Sequence, residues 1–98
     1  MSEQKKKSQH DESMRRFIEL ANEMKDEGVP VNLVSWALMS ASGIYATYSV
    51  VGNNGGLNES GVQKVADAYH KNLANIQVLK KAQGITQEEG EGASAPSP

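Results

Sequence analysis

Apolar residues recur with a helical period in three stretches of this chain, and the middle stretch differs in kind from its neighbours. From Gly28 to Asn58 there is no Asp, Glu, Lys, Arg or His, although both flanks are densely charged. A helix over about 33–51 gathers Leu33, Val34, Ala37, Leu38, Ala41, Ile44, Tyr45, Tyr48 and Val51 on one broad face. Beside that face runs a narrow strip of Ser35, Ser42, Ala46 and Ser49. Trp36, Met39, Gly43 and Val50 occupy the far side, away from the face that a neighbour in the same chain would cover. A helix with no wet side has to be surrounded. The hydroxyls in it can bond carbonyls one turn back, so they need no outside partner.

The flanking stretches predict ordinary amphipathic helices. Met14, Phe17, Ile18, Ala21 and Met24 make one stripe, and Val62, Val65, Ala66, Tyr69, Leu73, Ile76 and Leu79 make another. Charges fill the remaining positions, with Glu12–Arg16, Arg15–Glu19 and Asp67–Lys71 at the spacing that lets opposite signs meet on a helix surface. Gly28-Val29-Pro30 predicts a stop near Glu27, and Gly84-Ile85 predicts a second stop of the same design. Asn32 and Asn58 are the expected N-caps of the second and third helices. The expected organisation is a disordered arm over 1–10, a three-helix domain over 11–84 with helices at about 11–27, 33–51 and 59–83, and a disordered tail over 85–98. The fold class is all-α, a small three-helix bundle with a hydrophobic central helix, completed by oligomerisation.

Composition narrows the function classes. With 98 residues there is room for one small core. A net charge of -2 and a pI near 5.6 offer no overall attraction to nucleic acid, and the run Lys5-Lys6-Lys7 reads as a solvated arm. The absence of cysteine excludes disulfides, thiol nucleophiles and Cys-based zinc sites. No apolar segment directly follows the basic N-terminus, so a cytoplasmic location is expected.

The segments Phe17-Ile18-Glu19-Leu20-Ala21-Asn22, Gly28-Val29-Pro30-Val31, Val34-Ser35-Trp36-Ala37-Leu38 with Ala41-Ser42-Gly43-Ile44-Tyr45, and Ala68-Tyr69-His70-Lys71-Asn72-Leu73 resemble a family of short proteobacterial proteins of unknown function. That family has an FI-x-LAN first helix, a small-residue-rich second helix and a closing helix that contains tyrosine. The resemblance implies an all-helical fold and a bacterial, soluble origin, and it implies no reaction. Where the family commonly carries an arginine after the alanine run, this chain has the uncharged Gly43 or Ile44.

Candidate chemistry is sparse. His10-Asp11-Glu12 are neighbours in sequence and do not share a helix face, which argues against a cation site. Asp67 and His70 form half of a carboxylate–histidine metal pair, with no second half on the facing helices. The central serines have no base close in sequence to activate them, although folding could bring His70 towards Ser42 or Ser49. Gly52-Asn53-Asn54-Gly55-Gly56 follows a helix and lacks the lysine of a phosphate loop. No catalytic, cofactor or metal site is therefore expected. The expectation is a non-catalytic homo-oligomer or protein-interaction module that binds itself or another protein through Trp36, Met39, Gly43 and Val50. The alternatives are a membrane-associated protein that inserts its central helix, disfavoured by five hydroxyl residues in the span, and a helical protein with a small-ligand pocket.

Overall fold

The computed structural model of the protein describes residues 2–84 and contains three helices: α1 Glu3–Asp26, α2 Val31–Val51 and α3 Glu59–Gln83. The chain is all-α. The tail expected over 85–98 lies outside the described residues. By compactness the chain divides into two units at the Met39–Ser40 junction within α2.

The first unit contains α1 and the opening turns of α2. The arm expected over 1–10 is helical from Glu3 onward, because the Ser2 hydroxyl accepts the Lys5 amide at 3.2 Å and Glu3 complements the positive end of the helix. Residues 3–13 carry no apolar stripe, so periodicity gave no sign of this helix. Its lysines, glutamines and glutamate favour helix on propensity alone. At the other end the expected stop forms in full. Gly28, at φ +105°, donates its amide to the Lys25 carbonyl at 2.9 Å, and Val29 donates to Met24 at 3.1 Å, a Schellman pair. A β-carbon at Gly28 would meet no atom within 4 Å, so only backbone conformation demands glycine here. Gly28→Ala is expected to lower stability by about 1–2 kcal/mol in chemical unfolding. Gly56→Ala, at an open position without positive φ, should change it by less than about 0.5 kcal/mol.

The α2 helix opens one residue before the expected cap. The Pro30 carbonyl receives the Leu33 and Val34 amides, each at 3.0 Å, and Asn32 lies within the first turn instead of capping it. Proline fits this boundary because the chain enters the helix with no amide to satisfy there. Ala21 on α1 and Val34 on α2 are buried, and Ile18, Met24 and Val29 are half-buried.

The second unit contains the rest of α2, the loop 52–58 and α3. Gly52 turns the chain at φ +63° and ties its amide to the Tyr48 carbonyl at 2.7 Å; Gly55 follows at φ +94°. Asn58 caps α3 as expected, its side-chain oxygen accepting the Gly61 amide at 2.9 Å and the Ser60 hydroxyl at 3.1 Å. Leu57 lies over Gly61 so closely that a β-carbon there would stand 3.3 Å from it. Gly84 ends α3 at φ -108°, so the second stop does not repeat the left-handed geometry of the first. A single bond from its amide to the Lys80 carbonyl, 2.8 Å, closes the last turn instead.

Candidate interaction surface

Of the four residues expected to form a docking surface, Trp36 and Met39 belong to the first unit, and Gly43 and Val50 to the second. Trp36 is 63% exposed, Met39 54% and Val50 62%, and a β-carbon at Gly43 would meet nothing within 4 Å. Two hydroxyl residues of α2 bond within it. Thr47 donates to the Gly43 carbonyl at 2.9 Å and Ser49 to the Ala46 carbonyl at 2.8 Å. Those two hydroxyls can lose water without leaving a donor unpaired.

The opposite, broad face was expected to be covered by the flanking helices, and the structure corrects that. Ile44 is 73% exposed and Tyr45 70%, and Leu33, Leu38 and Tyr48 are exposed as well. The stripe of α3 is itself open at Val62, Tyr69, Leu73 and Ile76, and that of α1 at Met14 and Phe17. The physical reason is one of width. An amphipathic helix offers a single stripe, and a helix apolar all round needs partners on every side.

In the second unit, Tyr45 and Tyr48 lie with ring centroids 5.7 Å apart at a tilt of 45°. With Ile44, Gly52, Asn53 and Gly55 they line a shallow concavity that opens widely to solvent. Titratable groups do not converge on it, since α2 and its loop contain none except the tyrosine hydroxyls.

The charged residues make local pairs along the outer helices. Arg15 bridges Glu12 at 2.7 Å and Glu19 at 2.8 Å, taking the place of the expected Glu12–Arg16 pair. Its hydrogen bond and charge hold the Glu12 carboxyl below the ordinary carboxylate range, and Glu12 in return raises Arg15. Asp11 accepts from His10 at 2.9 Å and lies 3.7 Å from Lys7, and the His10 hydrogen bond is the main cause that lowers its pKa. Asp67 is reached by the Gln63 amide at 3.0 Å rather than by Lys71. No group of three or more His, Asp or Glu that could hold a metal ion occurs among the described residues. Ser42, Ser49 and His70 are all exposed, and the Ser49 hydroxyl is committed to the Ala46 carbonyl.

Among the described residues no helix is long and apolar enough to cross a membrane. The chain matches no family model, no curated protein and no solved structure.

Proposed function

We propose that the protein is a non-catalytic interaction module that completes its hydrophobic core by associating with further copies of itself, in a cytoplasmic setting. One observation carries this. All five aromatic residues, Phe17, Trp36, Tyr45, Tyr48 and Tyr69, are exposed in the single chain, while Ala21 and Val34 are the buried hydrophobic residues among those described. Burying an aromatic side chain is worth several times what burying an alanine is, so most of the available driving force remains unused in one chain.

A second copy suits the vacant surface better than a charged partner does. The run Gly28–Asn58 has no charge to repel its own image, and it has none to attract a basic or acidic protein. Small domains with few buried residues commonly gain stability through association. The resemblance to the proteobacterial family is compatible with such a role and adds no chemistry to it.

Size exclusion with light scattering, across a wide range of concentrations, tests this. The expected mass is an integer multiple of 10.6 kDa that dissociates on dilution. A particle of 10.6 kDa at every concentration would refute self-association. An assembly that forms only in the presence of another protein would assign the surface to that partner instead.

A further inference from the structure

We infer that Asn54 is a self-modification site, at which the side-chain amide condenses with the backbone nitrogen of Gly55 and the asparagine becomes aspartate or isoaspartate. The site lies wholly within the second unit, in the loop between α2 and α3, and it does not rest on the self-association proposed above.

The chemistry asks three things of an asparagine. Its side chain must be free to turn back on the main chain, the amide of the next residue must have no acceptor, and that next residue must not crowd its own nitrogen. Asn54 meets all three. Both Asn54 and Gly55 are exposed, and among the described residues neither the Asn54 side chain nor the Gly55 amide makes a hydrogen bond. Glycine has no side chain beside its nitrogen, and even a β-carbon at Gly55 would meet nothing within 4 Å.

The other asparagines each fail one requirement. The nucleophile after Asn53 is the Asn54 amide, which is committed to the Val51 carbonyl at 3.2 Å. Asn32 is followed by the Leu33 amide, held by the Pro30 carbonyl at 3.0 Å. The Asn58 side-chain oxygen is occupied by the Gly61 amide and the Ser60 hydroxyl, which turns its carbonyl forward into α3. Asn22, Asn72 and Asn75 lie inside α1 and α3, where the following amide belongs to the helical ladder.

The reaction balances with water alone. The Gly55 nitrogen gives its proton to solvent base and attacks the Asn54 side-chain carbonyl carbon, forming a C–N bond. The bond from that carbon to the amide nitrogen breaks, and the nitrogen takes up a proton and leaves as ammonia. Water then opens the five-membered succinimide at either carbonyl, giving aspartate or, where the main chain is left running through the side chain, isoaspartate. Nothing is oxidised or reduced, and this lability is one reason asparagine is counted among the thermolabile residues. Either product puts a negative charge into the run Gly28–Asn58, which has none, and places it just beyond the last residue of α2, at the negative end of that helix.

Ageing the concentrated full chain at neutral and at mildly alkaline pH tests this, with helicity followed by circular dichroism and a parallel sample kept in guanidinium chloride. Peptide mapping by mass spectrometry reads the site and separates aspartate from isoaspartate. Conversion is expected at Asn54, with both products, released ammonia and a rate that rises with pH. Since one held hydrogen bond slows such a step by about tenfold, Asn54 should react at least about tenfold faster than any other asparagine of the helical chain, and within about tenfold of its own rate in denaturant. Asn54→Gln, whose side chain would have to close a larger ring, should stay unmodified at that position. An unchanged Asn54, aspartate without isoaspartate, conversion spread evenly over the asparagines, or a rate in the helical chain far below that in denaturant would each overturn the assignment.

Discussion

Diluting the protein is expected to unfold it. A chain in which Ala21 and Val34 are the buried hydrophobic residues among those described cannot offset the entropy of ordering three helices, which runs at about 1–2 kcal/mol per residue for the backbone alone. Folding and association should therefore be one event. By mass action each tenfold rise in concentration should then raise the midpoint of thermal unfolding by roughly 5 °C. Far-ultraviolet circular dichroism followed over several decades of concentration measures this. A midpoint that does not move would mean that one chain is stable without a partner.

Placing a carboxylate at the tryptophan should have the largest effect of any single substitution. Trp36→Asp puts a charge into a segment that has none from Gly28 to Asn58, on the side proposed to exclude water on association. An unpaired charge buried at a contact costs several kcal/mol, so the association constant should fall by at least about 100-fold. Trp36→Phe keeps the apolar bulk and should stay within about tenfold of the natural chain. Since Trp36 is the one tryptophan, its fluorescence is a direct reporter. Emission should shift to shorter wavelength as the natural protein associates, starting from the value of an exposed indole. Undiminished association of the Trp36→Asp chain would remove the tryptophan from the contact.

Much of the local structure was legible because it is made of short-range chemistry. The Gly28-Val29-Pro30 stop is a steric device written within three residues, and it forms where expected, closed by bonds from the Gly28 and Val29 amides. Asn58 likewise announced the start of α3, since an amide side chain before Glu59 can hold the Gly61 amide. The start of α1 was misplaced because residues 3–10 carry no apolar repeat, and a helix held by propensity and a serine cap has no periodic signal. Asn32 misled for a related reason. Cap chemistry names a residue type, and Pro30 takes the role through backbone geometry. Charge pairing was legible only as a set of permitted partners. Arg15 could reach Glu12 and Glu19 together, so it displaced Arg16, and Gln63 rather than Lys71 meets Asp67.

The candidate surface was legible in part. That Trp36, Met39, Gly43 and Val50 share a side of one helix follows from spacing alone, because the helical period is constant. Their exposure, and that of Ile44 and Tyr45 on the face expected to be covered, needed coordinates. So did the freedom of Gly43, which looks in sequence like one more small residue in a small-residue strip.

Residue order alone settled that there are three helices, where α1 stops and where α3 starts, and that the middle one has no polar side, because each of these depends on groups within about a turn of one another. Folding in three dimensions decided how little of that apolar surface one chain hides. Coverage depends on which faces meet across long stretches of chain, and the single stripes of α1 and α3 leave Phe17, Trp36, Tyr45 and Tyr69 in water.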